Sequence, residues 1–339
     1  MPYLYKTLFL MTLMMGTLIS ISANSWMGSW IGLEMNLLSI IPLMNNSKNP
    51  QSTEASLKYF IVQAMASMIL LMSFIMDTIK SDLPMNLLTS CLPSTCLTTA
   101  LLIKTGTAPF HFWFPEVMEG LSWVNALILL TWQKIAPLVI LMYNNNEMIL
   151  LMAILFSVLV GGLIGLNQTS LRKILSYSSI NHIGWMLAAM LFLETLWTWY
   201  FILYSIMNTM IIWVLKKFNI SSISQLINIS KLNPQLKIFF MFNFFSLGGI
   251  PPFIGFLPKW LTIQALIYNQ MYLTTTLMII TTLITLYFYM RMTFPMISFS
   301  ISAPTIISMN KHMKNYFLTM VNSMLLMSLI FSTMAFNWF

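Results

Sequence analysis

Residues 104–120 read KTGTAPFHFWFPEVMEG, and this stretch decides the fold. Gly106, Pro109 and Pro115 fall inside a chain of long apolar runs, and Lys104, His111, Glu116 and Glu119 share the same short segment. A proline in a helix interior removes a backbone donor and clashes with the preceding turn, so no unbroken helix runs through here. In hydrocarbon, backbone groups freed by such a break are tolerated only where protein or a water-filled cavity surrounds them. A broken segment with ionisable residues beside it therefore marks a cavity at membrane depth, where transporters hold their ions.

Composition sets the solvent. Of 339 residues, 58% are hydrophobic and 7% charged, against about a quarter charged in a soluble domain. The chain reads as an all-α polytopic membrane protein, a single integral membrane domain over 1–339. The net charge of +8 does not point to nucleic acid, because the cations are scattered between apolar runs with no basic stripe or aromatic platform. Cys91 and Cys96 lie in one apolar run, and His111, His182 and His312 are dispersed. They build no iron–sulfur, haem or zinc site, so no metal site or cofactor is expected here and redox chemistry belongs to another chain. The first apolar run has the length of a span rather than of a leader. Thirty-two methionines read as the mark of an AT-rich genome with a mitochondrial code.

At about 20 apolar residues per span, roughly eleven segments emerge: 3–23, 25–44, 55–77, 84–118, 122–143, 148–167, 170–190, 194–215, 236–268, 271–291 and 316–336. The segment 84–118 and the segment 236–268, which holds SLGGIPPFIGFLPKW, are too long for one straight helix and too short for two with a turn. Both are expected as broken helices. Lys and Arg gather in the loops of one side: the N-terminus and even-numbered loops hold Lys6, Lys48, Arg172, Lys173, Lys216, Lys217, Lys231, Lys237, Arg291, Lys311 and Lys314, and the odd-numbered loops Lys80 alone. The N-terminus is thus expected on the inner, negative side and the C-terminus opposite.

Lys104, Lys134, Lys259 and Glu34 then remain within spans. A charge at mid-bilayer costs on the order of 2.5 to 3.5 kcal/mol even on a lenient scale, so partners or a water path must offset these four. Lys134, in LLTWQKIAPL, is the sharpest. Its competing reading is a side chain snorkelling to the interface, but apolar residues flank it deeply on both sides. The same alternative stands for Lys104 and Lys259, whereas the breaks beside them favour lysines held against the negative end of an interrupted helix. Glu34 either serves a proton path or simply bonds a neighbouring helix. His182 shares a face with Ser178, Ser179 and Trp185, a polar stripe that is either a titratable relay or a helix-packing seam. His111, inside the break, carries the same two readings. Gly161 and Gly165 have the spacing of a helix contact rather than a nucleotide loop, since no strand precedes them. Trp26, Trp30, Trp123 and Trp338 fall near segment ends as interfacial anchors, and Glu116 and Glu119 face water or a partner loop, with proton entry as the competing reading.

Five stretches carry a resemblance: LEMN around Glu34, KTGTAPFHFWFPEVMEGLSW, TWQKIAPL, NQTSLRKILSYSSINHIGWM and LGGIPPFIGFLPKW. In this order they resemble the antiporter-like membrane subunits of NADH:ubiquinone oxidoreductase, respiratory complex I, in the mitochondrial chain 2 family of animals and of arthropod type. The likeness is weakest over 45–100, 190–235 and after 290. It implies two inverted five-helix repeats, each with one discontinuous helix. It also implies an input pair of Glu34 and Lys104, a central carrier Lys134 and a terminal Lys259, with His111, His182 and Ser178 as possible relays. The wider family has three more helices at its start, which leaves one flank of the first repeat for partner subunits or lipid, cardiolipin among them, to cover. By the same resemblance the chain is a subunit of a proton-translocating NADH:ubiquinone reductase in the mitochondrial inner membrane. Its partners would be the other membrane and peripheral subunits rather than a second copy of itself, and those partners would hold NADH, FMN, the iron–sulfur clusters and ubiquinone.

Two other classes of function fit broken helices and buried lysines. A stand-alone cation/proton antiporter would transport when reconstituted alone. A purely structural subunit would lose only assembly when its four buried charges were replaced.

Overall fold

A computed structural model describes residues 2–45, 49–82, 92–144, 146–232, 234–251 and 253–298. They form fourteen helices: α1 Pro2–Ser22, α2 Trp26–Met44, α3 Pro50–Asp82, α4 Leu92–Thr105, α5 Trp113–Gly120, α6 Trp123–Leu130, α7 Trp132–Tyr143, α8 Glu147–Gly165, α9 Leu171–Phe192, α10 Glu194–Phe218, α11 Ile223–Leu232, α12 Pro234–Gly248, α13 Phe256–Tyr268 and α14 Tyr272–Ser298. Extended pairing among the described residues is limited to one bridge, Ser170 with Ser222. Helices dominate because hydrocarbon offers no partner for backbone N–H and C=O groups, so each segment must satisfy its own. Hydroxyls follow the same rule: Thr17 donates to the Met14 carbonyl at 2.7 Å and Ser73 to that of Leu70 at 2.6 Å.

Among the described residues, seven stretches are long and apolar enough to cross a membrane: α1, α2, α3, the run Trp123–Tyr143, α8, α10 and α14. With α9, whose first turn holds Arg172 and Lys173, and the two broken pairs α4–α5 and α12–α13, they account for the spans read from residues 3–291. The segment 316–336, with Lys311, Lys314, His312 and Trp338, lies outside the described residues, as do Lys48 and Cys91. Helix α3 runs past both ends of the expected 55–77. The ten-residue α11 was not expected, being too short for the span rule.

Both expected breaks occur, and they are built alike. At the end of α4, Gly106 takes φ +75°, and the N–H groups of Gly106 and Thr107 both return to the Leu102 carbonyl, at 3.1 and 3.2 Å. At the end of α12, Gly249 takes φ +77°, and Gly249 and Ile250 both return to Phe245, at 3.0 and 3.2 Å. This is a glycine-closed helix C-terminus that satisfies the last carbonyls from the chain beyond. The two broken spans are the fourth members of consecutive five-span sets. Because five is odd, they run through the bilayer in opposite directions, which makes the sets inverted repeats.

Helix α9 lies at the centre, packed against α5, α8, α10 and α13, and is buried almost continuously from Ile174 to Met190. Gly161 permits this: a Cβ there would stand 2.8 Å from the Asn181 nitrogen and the Tyr177 oxygen. Outside, α1 and α3 present Leu8, Met11, Met15, Ile61, Met65 and Met68, an apolar face for lipid or protein.

Candidate functional site

Lys104 lies in the last turn of α4 and is only 7% exposed. The break turns the chain away immediately after it, so the ammonium stays at depth beside the carbonyl end of its own helix. Glu34, half-buried at mid-α2, acts electrostatically on Lys104. The two close no ion pair within 4 Å, and Oε1 of Glu34 has no hydrogen-bond partner among the described residues. Lys104 also borders a cavity of about 10 Å³ shared with Asn36, Tyr59, Gln63, Gln133 and Pro137. That is room for about one water, and its walls are polar enough to hold it. Gln63 donates to the Lys104 carbonyl at 3.4 Å, and the Tyr59 hydroxyl reaches the Gln133 side-chain oxygen at 3.4 Å.

Gln133 leads to Lys134, which is 2% exposed. The span 122–143, expected as one helix, is interrupted at Thr131 between α6 and α7, one turn before this lysine. The Lys134 Nζ has no hydrogen-bond acceptor among the described residues. It lies instead 5.1 Å from the centre of the Phe114 ring and 5.4 Å from that of Tyr204. Aromatic faces attract a cation more strongly when water is excluded, and they leave its protons uncommitted.

Tyr204 continues the row. Its ring centre is 5.2 Å from that of His182, and the His182 Nδ1 meets the Tyr200 hydroxyl at 3.0 Å. His182 is fully buried and within electrostatic reach of both Lys134 and Lys259. Lys259, 5% exposed in the first turn of α13, folds back over the second break. Its Nζ donates to the carbonyls of Gly248 at 2.9 Å and Leu247 at 3.3 Å and lies 5.9 Å from the Trp185 ring. All three lysines are buried inside the protein.

Half-buried Glu34 and buried Lys104, Lys134, His182 and Lys259 therefore form a row that crosses both repeats. Ser178 flanks it and donates to its own helix at the Leu175 carbonyl, 2.8 Å. His111 is buried in the first break, with ring neighbours Phe112 at 4.3 Å and Tyr177 at 6.5 Å, and its carbonyl accepts at 3.0 Å from the N–H of Phe114, whose ring faces Lys134. Glu116 and Glu119 are engaged at the surface, with Lys58 at 2.9 Å and Lys173 at 2.7 Å. Sequence reasoning missed Tyr59 with Gln63 and Tyr200 with Tyr204. The four-residue spacing that puts each set on one helix face is the signal that would have found them.

Proton transfer suits such a row: titratable groups at membrane depth, separated by aromatic and amide side chains and by space for water. A family model described as NADH:quinone oxidoreductase/Mrp antiporter, TM matches residues 23–285. The chain is similar to NADH-ubiquinone oxidoreductase chain 2 of Anopheles gambiae, 51% identical over 87% of this chain and 86% of that one. It is likewise similar to chain 2 of Aedes aegypti, 48% identical over 97% and 96%. Among solved structures it resembles a chain of respiratory complex I from Thermus thermophilus with bound aureothin. The TM-score is 0.84 and the identity 24%, over 96% of this chain and 78% of that one.

Proposed function

The chain belongs to the NADH:quinone oxidoreductase/Mrp antiporter transmembrane family, and on that premise we propose that it carries protons along Glu34, Lys104, Lys134, His182 and Lys259. It does so as a core membrane subunit of a proton-pumping NADH:ubiquinone oxidoreductase in the mitochondrial inner membrane. The other subunits hold the NADH, flavin, iron–sulfur and quinone sites, and membrane lipids cover part of the first-repeat flank. The N-terminus faces the matrix and the C-terminus the intermembrane space, as the one-sided lysines argue.

Lys134 carries the reading, an ammonium buried between two aromatic faces with no acceptor of its own. Glu34 close to Lys104 stabilises the proton on that lysine. A change at the quinone site that draws Glu34 away frees the Lys104 proton to move toward Lys134, through the small cavity beside Gln133. Two ammonium groups about 8 Å apart at an effective dielectric near 20 repel by roughly 2 kcal/mol, close to the roughly 2.3 kcal/mol per charge needed against 100 mV. Repulsion between two charges at such a spacing is therefore of the same order as the work of one transfer.

The test is Lys134→Met in the intact assembly, read as protons translocated per NADH oxidised. The reading expects a fall with assembly preserved. An unchanged ratio would remove Lys134 from the path.

A further inference from the structure

The two breaks share a backbone design but are closed by different side chains. A constant shift in sequence brings Gly106, Phe110 and Pro115 onto Gly249, Phe253 and Pro258. Under that shift Lys259, which donates to the Leu247 and Gly248 carbonyls of the second break, falls on Glu116, which pairs with Lys58 at the surface. The first break therefore takes its side-chain donors from elsewhere. In the first turn of α5, the Trp113 Nε1–H donates to the Ile103 carbonyl at 3.2 Å, and Gln63 donates to the Lys104 carbonyl. Ile103 immediately precedes Lys104. The bond from Trp113, with the one that the same carbonyl accepts from the Gly106 N–H at 3.2 Å, fixes the turn that carries the lysine. Both side-chain donors are uncharged, so these carbonyls are met without drawing on an ammonium.

Trp113 is buried, and its ring stands edge-on to that of Tyr59, 5.7 Å between centres; the Tyr59 hydroxyl in turn reaches Gln133. Phe114, next in the chain, places its ring 5.1 Å from the Lys134 Nζ. One turn of α5 thus touches both the helix end that carries Lys104 and the ammonium of Lys134. We propose that Trp113 is a positioning residue for transfer between these two lysines: its indole N–H holds the end of α4 against α5 and, with Phe114, sets their spacing. Proton transfer needs its groups within hydrogen-bond reach, directly or through one water, and about 1 Å of misplacement costs up to roughly a hundredfold. The inference rests on the proton-row reading.

Two substitutions separate the donor from the ring. Trp113→Phe keeps an aromatic ring and removes the N–H. Trp113→His keeps a donor, since an imidazole Nε2 overlays the indole Nε1, and gives up the larger ring. Proton release driven by NADH, its pH profile and protons per NADH are measured on the intact assembly beside Lys104→Met, with assembly followed on native gels. Trp113→Phe should slow release about fivefold, the worth of one buried hydrogen bond, and change the shape of the pH profile, with the quinone KM unchanged. Trp113→His should stay nearer wild type. A ring that only fills space predicts the reverse order, because histidine leaves the larger void, and a profile of unaltered shape. That order, or equal losses in the two variants, would overturn the inference. If Trp113→Phe does not assemble, Trp113→His decides: release near the wild-type rate supports the inference, and a fivefold loss overturns it. Unchanged protons per NADH in Lys104→Met would bring down the row and this inference with it. A loss there beside wild-type behaviour in Trp113→Phe would overturn the inference and leave the row standing.

Discussion

Lys259 closes the end of a helix it does not belong to: its Nζ donates to the Gly248 carbonyl at 2.9 Å across the second break, from the half-helix that follows. Lys134 has no such engagement. Two lysines of similar burial are therefore held in different ways, and their substitutions should separate.

Lys259→Met strips a partner from the buried Gly248 and Leu247 carbonyls and should cost about 1–3 kcal/mol. Lys134→Met removes a buried charge that satisfies no acceptor, and such replacements are neutral or stabilising. Thermal inactivation of the purified assembly should show the first variant less stable and the second unchanged or better, with both impaired in pumping.

The two break glycines should also diverge. Alanine at either must adopt positive φ, at a cost of about 1–2 kcal/mol. At Gly249 the new Cβ would stand 2.8 Å from the Lys259 Cδ, whereas at Gly106 it meets the Trp113 ring at 3.2 Å. Both variants should lose stability, and Gly249→Ala should lose protons per NADH disproportionately because it displaces Lys259.

Tyr200→Phe takes the hydroxyl from the His182 Nδ1, an unmade buried hydrogen bond of about 1–3 kcal/mol. Tyr204→Phe keeps the ring that faces Lys134. Pumping should fall more in Tyr200→Phe, and a solvent deuterium isotope effect on NADH-driven proton release should increase only there.

Gln133→Leu lines the 10 Å³ cavity between Lys104 and Lys134 with hydrocarbon. Losing one bridging hydrogen bond of about 1 kcal/mol should slow transfer roughly fivefold, seen as slower proton release at saturating NADH. Gln133→Glu should slow it less.

Glu116→Gln breaks the exposed pair with Lys58. Exposed pairs contribute little, so protons per NADH and assembly should both stay at wild-type values. A clear loss of pumping would bring the inner end of the first break into the path.

Both breaks were legible because glycine and proline in TGTAP and GGIPP can neither continue a helix nor hide in lipid, and the buried lysines were legible because so few charges occur at all. The interruption at Thr131 was not, since TWQKIAPL holds no residue that ends a helix there, and Pro137 sits six residues on, inside α7. Tyr200 and Tyr204 were passed over because aromatic residues are ordinary filling in a membrane helix. Only their register against His182, set by tertiary packing, gives them a part in the row. The side on which the His182 stripe faces was likewise open, as a packing seam and a relay present the same sequence.

The account turns on hydrogen ions being able to pass between lysines held at mid-bilayer, and a density map of the intact assembly that resolves ordered water tests this most directly. It should show water or exchangeable side chains bridging Lys104 to Lys134 past Gln133, and Lys134 to Lys259 past His182, with no gap longer than about two hydrogen bonds. Closely packed hydrocarbon between any two of these lysines, in every state of the turnover cycle, would contradict it.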